Sequence, residues 1–245
     1  MVEILQKKLP QEMLEERALP GVQPLGGADW LRLDEAYAAQ MAHRRSLLAT
    51  QRADVYWQDA GAHIAAREVL SEALKLLPGL GFEVSDTECR CPDGQVVPFD
   101  DDAPLVALGQ LVQEDICILQ KRGDEHVLTA ACLCFPASWR LSEKVGRPLI
   151  GIHDTVPEYD AGIARRVQRL FDGVQVGRPM WRYNRLWYDD PDLFQPRSAL
   201  SPRRIAPGEV EAAYQRAERQ CIVRMPESGA VVFSIHSYVV KATQG

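Results

Sequence analysis

The chain has 245 residues, and 28 Lys and Arg against 34 Asp and Glu give a net charge of −6 with a pI near 5.5. At 46% hydrophobic and 25% charged it is the composition of a globular protein that can bury a core without a disulfide or metal staple, which excludes disordered and fibrous classes. The acidic balance, with no basic stripe, argues against a nucleic-acid partner. The N-terminal stretch lacks the apolar core of a signal peptide, and no segment approaches a membrane span, so a cytoplasmic protein is expected.

Residues 1–28, rich in Pro and Gly at LPGVQPLGG, read as an extended arm that orders only by packing on something, with a neighbouring copy as one candidate. Asp34 caps a predicted helix through EAYAAQMAHRRSLLA. A second helix is predicted over AGAHIAAREVLSEALKLL, with Ile64, Val69, Leu70, Ala73, Leu74 and Leu77 on its apolar side and Pro78-Gly79 as its stop. The segment FEVSDTECRCPDGQVVPF reads as a hairpin turning at Pro92-Asp93-Gly94. Behind it, DDDAPLVALGQLVQEDICILQ returns to helical spacing after an acidic cap, and HVLTAACLCFP reads as a buried strand.

After a loop-rich stretch, AGIARRVQRLFDGV is predicted to be an amphipathic helix, with Ile163, Val167, Leu170 and Phe171 inward and Arg165, Arg166 and Arg169 mostly outward. The final third reads as sheet: MWRYNRLWY, a short helix at GEVEAAYQRA, then a long hairpin of RQCIVRMP and AVVFSIHSYVV joined by ESG. The sum is an α+β chain with an antiparallel sheet and no βαβ rhythm.

Several chemistries are excluded by what is missing. There is no G-x-G-x-x-G, no phosphate-cradling loop, no G-x-S-x-G elbow and no H-E-x-x-H. The pairs Cys89/Cys91 and Cys132/Cys134 have the wrong spacing for structural zinc or an iron–sulfur cluster, and the second pair falls on a predicted buried strand. Reduced, core-packed thiols are therefore expected for these cysteines. Among the histidines, His43, His63 and His126 occupy unremarkable positions, and His236 is compatible with either a core or a pocket role. His153 stands out, in the loop RPLIGIHDTVPEY just before a helix. There a neutral imidazole suits an axial ligand, and Asp154 would suit a proton-shuttling partner.

Taken together, GADWLRLDEAYAAQM, FPASWRLSEKVGRPLIGIHDTVPEYD, RPMWRYNRLWYDDPDLFQP and ERQCIVRMPESGAVVFSIHSYV resemble, in that order, the haem-dependent oxidative N-demethylase family. The most specific positions are Phe135-Pro136, Trp139, Lys144, Gly146, Ile152-His153 and Val156-Pro157, followed by Glu218-Arg219-Gln220, Arg224, Pro226, Gly229-Ala230 and Phe233. The resemblance implies a PAS-like antiparallel sheet with flanking helices, in one domain over residues 29–245, holding haem b and its iron. It implies a monooxygenase-type reaction that removes a methyl group from a small secondary amine such as dimethylamine, using O2 and releasing formaldehyde. Because the chain carries no redox motif of its own, electrons are expected from a separate flavin and iron–sulfur reductase.

Within that picture His153 is the expected metal ligand. Arg219 and Arg224, with Trp181 and Tyr183, are candidates to bind the cofactor, because guanidinium forks suit propionates and aromatic rings suit pocket walls. Arg182, Asn184, Glu218 and Gln220 are the catalytic candidates: the amides as donors to bound oxygen, Glu218 as partner of the amine or as proton relay. A second reading of the same resemblance is a haem-binding PAS-type sensor of gas or redox state without turnover. A third is a domain without haem in which His153 is structural.

Overall fold

A computed structural model of the chain describes residues 3–15, 21–26, 29–137, 139–153, 161–198 and 212–242, excluding the side chains of His153, Ala161 and Ala164. Its centre is a seven-stranded antiparallel sheet. In chain order the strands are β1 (Gln23–Pro24), β2 (Tyr56–Gln58), then a small three-stranded sheet of β3 (Glu83–Val84), β4 (Glu88–Arg90) and β5 (Val96–Pro98). The large sheet continues with β6 (Asp115–Arg122), β7 (Glu125–Cys132), β8 (Met180–Tyr188), β9 (Tyr214–Arg224) and β10 (Val231–Lys241). Its spatial order is β1-β8-β9-β10-β6-β7-β2. Among the described residues the helices are α1 (Tyr37–Thr50), α2 (Arg52–Val55), α3 (His63–Leu74), α4 (Pro104–Gly109), α5 (Leu149–His153) and α6 (Ala161–Gly173). The class is α+β, as the sequence predicts.

Each face of the sheet carries its own core. The larger core holds α1, α3 and α4 against Ile116, Ile118, Ala130, Cys132, Trp181, Ala217, Cys221 and Val232. α1 offers it Tyr37, Gln40, Met41, Arg44, Leu47 and Leu48, an uninterrupted three-four spacing. Asp34, expected to cap this helix, lies three residues before it; the N-cap is Ala36, which has no side-chain cap, and Asp34 Oδ1 accepts from the Ala36 N–H at 2.8 Å. The smaller core joins Cys117, Leu119, Leu128, Ile222, Val231 and Ile235 to Leu149 and Ile152 of α5 and Val167, Leu170 and Phe171 of α6.

Several sequence expectations are corrected. The helix predicted through Gln113–Gln120 ends at Gly109, and Asp115 begins β6. Ile116, Cys117, Ile118 and Leu119 are all buried, because this central strand is covered on both faces, and a continuous apolar run has no period to separate strand from helix. On α3, Ile64 points to solvent at 78% exposure, and the small Ala65 and Ala66 face the core instead. The predicted hairpin at Pro92-Asp93-Gly94 forms as β4–β5 and gains β3 as a third strand. Of the short helix expected at GEVEAAYQRA, residues 208–211 lie outside the described ones, and from Tyr214 the chain is already β9. The described part of the arm packs on this chain's own core through Ile4, Leu9, Met13 and Leu25, and Gln23–Pro24 pairs with β8.

Gly109 ends α4 against β7 at a distance no side chain tolerates. A Cβ there would lie 2.3 Å from Cys132 Sγ and 3.4 Å from Leu48 Cδ1. Gly109→Ala is expected to destabilise by about 1–3 kcal/mol through overpacking. Urea unfolding followed by circular dichroism checks this, and adding Cys132→Ala should return part of the loss. Equal losses in the single and double variants would place the cause elsewhere.

Candidate functional site

Register decides which side chains meet. In β8–β9, Arg182 lies opposite Gln220 and Asn184 opposite Glu218; in β9–β10, Gln220 lies opposite Ile235 and Glu218 opposite Ser237. Directly opposed residues of an antiparallel pair share a face. This row occupies the face that carries Ile222 and Ile235, over which α5 and α6 pack. A polar group is thereby set into an apolar surface.

Glu218 is its centre. Its Oε2 accepts from Asn184 Nδ2 at 3.1 Å and from Gln220 Nε2 at 3.0 Å, and its own N–H donates to Asn184 Oδ1 at 3.2 Å. On the other side Oε1 stands 3.8 Å from Arg216 Nη2. The carboxylate is buried, so burial is offset by two amide donors and one cation. Arg216 was not foreseen from the sequence. Its guanidinium also donates to the carbonyls of Phe135 and Leu193, at 2.6 and 3.1 Å, which fixes it beside Glu218. The amides of Asn184 and Gln220 are thus engaged by Glu218.

Among the described residues the buried Nε of Arg182 has no hydrogen-bond partner, as is also true of Nε in Arg216 and Arg219; those two guanidiniums donate through their Nη atoms, Arg216 to the Leu193 and Phe135 carbonyls and Arg219 to Asp29. Burial pulls the Arg182 pKa below the ordinary arginine value, and Glu218 is the one charge that opposes this. A buried donor left unmade costs about 1–3 kcal/mol, so an acceptor placed at this nitrogen would be favoured.

The remaining predicted residues fall elsewhere. Trp181, Tyr183 and Arg219 have the opposite parity in their strands, and Trp181 and Tyr183 pack with the larger core. Arg219 stacks its guanidinium 5.4 Å over Trp181 and pairs with Asp29 at 2.9 Å, away from α5 and α6. The structure therefore does not bring these three to the face holding Arg182 and Glu218. Arg224 is near α6, but its guanidinium is directed to backbone: Val174 and Phe171 carbonyls at 2.6 Å each, and the Gly229 carbonyl at 2.7 Å. It seals the C-terminal end of α6.

His153 is the last residue of α5, whose Leu149 and Ile152 belong to the smaller core. Its side chain, like Asp154, Val156 and Pro157, lies outside the described residues. Lys144 is buried, and its Nζ donates to the carbonyl of Ile152, the residue before His153.

The six cysteines are free and buried, and among the described residues no three His, Cys, Asp or Glu side chains are grouped as a metal site. His236 is a buried core residue held between two carboxylates on the larger-core side: Nδ1 lies 2.8 Å from Glu114 and Nε2 3.1 Å from Asp34. Among the described residues, no helix is long and apolar enough to cross a membrane.

The class is an α+β protein whose central sheet carries, on the face under α5 and α6, a convergent polar group of Arg182, Asn184, Glu218 and Gln220. Residues 21–244 match the family described as haem-dependent oxidative N-demethylase, alpha subunit-like, and the chain belongs to that family. It is accordingly an oxidoreductase of haem-dependent N-demethylase type, and an alpha-subunit chain implies further components. The residues present fit that group: the partnerless Nε of Arg182 offers a haem propionate the donor it needs, and Ile222, Ile235 and Phe233 give an apolar surface.

Proposed function

We propose that the chain holds haem b on the sheet face between β8–β9–β10 and α5, with His153 as the axial ligand to iron, on a PAS-like sheet. We propose further that it demethylates a small secondary amine such as dimethylamine. Bound haem supplies the oxidation of the N-methyl carbon, which consumes O2, two electrons and two protons and yields formaldehyde, the primary amine and water. No dinucleotide or iron–sulfur motif is present in the sequence to furnish those electrons. A separate flavin and iron–sulfur reductase is their proposed source. A reducing cytoplasmic setting suits the six free thiols.

The protein's own share is positioning. Arg182 binds a propionate through its guanidinium, whose Nε is buried. Glu218, held by Asn184 and Gln220 at Oε2, shares Oε1 between Arg216, 3.8 Å away, and the ammonium form of the amine. The same oxygen can hold the proton that the amine must lose before oxidation. The observation that carries this reading is the juxtaposition, on one face, of a partnerless buried arginine nitrogen and a preorganised carboxylate.

The test reconstitutes the protein with hemin. Wild type is expected to show a Soret band that His153→Ala loses or shifts, and to release formaldehyde from dimethylamine when reduced in oxygenated buffer. Glu218→Gln should raise KM for dimethylamine about tenfold or more, the worth of one charge-assisted hydrogen bond. A band without formaldehyde above the amine-free control leaves the sensor reading. Absence of any band defeats both.

A further inference from the structure

Lys144 is only 6% exposed, and its Nζ donates to the Ile152 carbonyl. An ammonium withdrawn from water costs several kcal/mol unless acceptors compensate it, and the Ile152 carbonyl is one such acceptor. That carbonyl belongs to α5, one residue before His153.

The backbone from which Lys144 projects is itself fixed. The Gly146 N–H donates to the Leu128 carbonyl and the Leu128 N–H to the Arg147 carbonyl, both at 3.0 Å, and Pro148 bridges Val127. Gly146 adopts φ of +70°, which turns the loop back along β7 at a conformation that other residues avoid. The loop is thus a platform pinned to a central strand, and Lys144 is the side chain that runs from this platform to the residue preceding His153.

We infer that Lys144 is a positioning residue: it fixes the end of α5 so that His153 meets the haem in one orientation. The inference rests on the proposed ligation by His153. Groups that orient a metal ligand from outside its bonding shell typically contribute 10–100-fold in metal affinity.

The experiment titrates full-length apoprotein with hemin and follows the Soret band, the ferric electron paramagnetic resonance spectrum and the reduction potential. Lys144→Met keeps the stem and removes the donor; it is expected to fold, to bind hemin about 10-fold or more weakly, and to change the ferric spectrum. Lys144→Arg, which restores a cationic donor, should recover affinity in part. A Lys144→Met protein with wild-type affinity and spectrum overturns the inference. So does a Lys144→Met protein that fails to fold beside a Lys144→Arg protein with a wild-type spectrum and affinity, since the role is then purely structural. His153→Ala is titrated in parallel. If it binds hemin as wild type does, the ligand assignment itself falls; if it loses the band while Lys144→Met matches wild type, only the role of Lys144 falls.

Discussion

Arg44→Leu is expected to lower the free energy of unfolding by about 3–5 kcal/mol, the cost of leaving one member of a buried ion pair alone. Arg44 is fully buried and joins four places in the chain. Its Nη1 pairs with Asp115 Oδ1 at 2.6 Å and also reaches the Gln113 carbonyl, its Nη2 donates to the Glu114 carbonyl at 2.9 Å, and its Nε to the Gly109 carbonyl at 3.2 Å. Asp115 in turn accepts from the N–H groups of Cys134 and Phe135, at 2.7 and 2.9 Å. One pair therefore ties α1 to the end of α4, the start of β6 and the end of β7. Arg44→Lys should recover little, because a point ammonium cannot reach acceptors spread across a planar fork. Urea unfolding by circular dichroism measures both variants. A loss below about 1 kcal/mol for Arg44→Leu would show that backbone carbonyls and water absorb the vacancy.

This pair also explains why part of the fold was not legible in the sequence. The stretch from Leu111 to Gln120 leaves a helix, crosses a turn held by a distant arginine and enters a strand buried on both sides. Nothing local marks that change: the partner of the turn is Arg44, 65 to 71 residues earlier. Where the determinants were local the reading succeeded. Met180–Tyr188 is rich in aromatic residues and alternates aromatic and polar over Trp181–Asn184, and the Glu227-Ser228-Gly229 turn joins two strands with Gly229 at φ +66°. The edge strand Tyr56–Gln58 has three residues and no period to detect.

The candidate site was legible in residue type but not in sidedness. Strand alternation already separates Arg182 and Asn184 from Trp181 and Tyr183, and Glu218 and Gln220 from Arg219. Applying the period of two to MWRYNRLWY and ERQ divides seven of the nine candidates, all but His153 and Arg224. What alternation cannot supply is register: that Asn184 faces Glu218 depends on an 11-residue β9–β10 pairing and on its alignment with β8. Arg216 was missed because its strand was read as a helix. Arg224 illustrates the converse, a guanidinium suited to a ligand by type whose donors are taken up by the end of α6.

Stability should fall as pH rises from about 6.5 to 9, and His236 is the cause. Burial disfavours its imidazolium, yet the Glu114 and Asp34 carboxylates outweigh burial and hold the pKa up at about 9 from an ordinary 6.5. The folded value lies above the unfolded one, so the stabilisation is complete below pH 6.5 and is lost as pH passes through about 9. Its size is on the order of 3 kcal/mol, at about 1.4 kcal/mol per pH unit of separation. Asp34 runs the other way: burial raises it, but His236 and the amides of Gln113 and Gln6 bring it down to about 2 from 3.8, so its contribution holds above pH 3.8 and is lost towards pH 2. The element at stake is the N-terminal segment, because Gln6 bonds Asp34 at 2.9 Å and also bonds the Ser237 carbonyl and Val239 N–H of β10. His43 and His126 are shifted down by burial, so their contributions are lost on acidification and cannot imitate a loss above pH 6.5. The buried thiols of Cys89, Cys91, Cys117, Cys134 and Cys221 are raised in the fold and add their own loss at alkaline pH, so the comparison is made below it: the urea midpoint measured from pH 5 to 8 should decline above pH 6.5 in wild type and stay nearly level in His236→Gln, which keeps a donor but no charge. A parallel decline in both proteins would assign the titration to another group, and a level wild-type profile would remove it altogether.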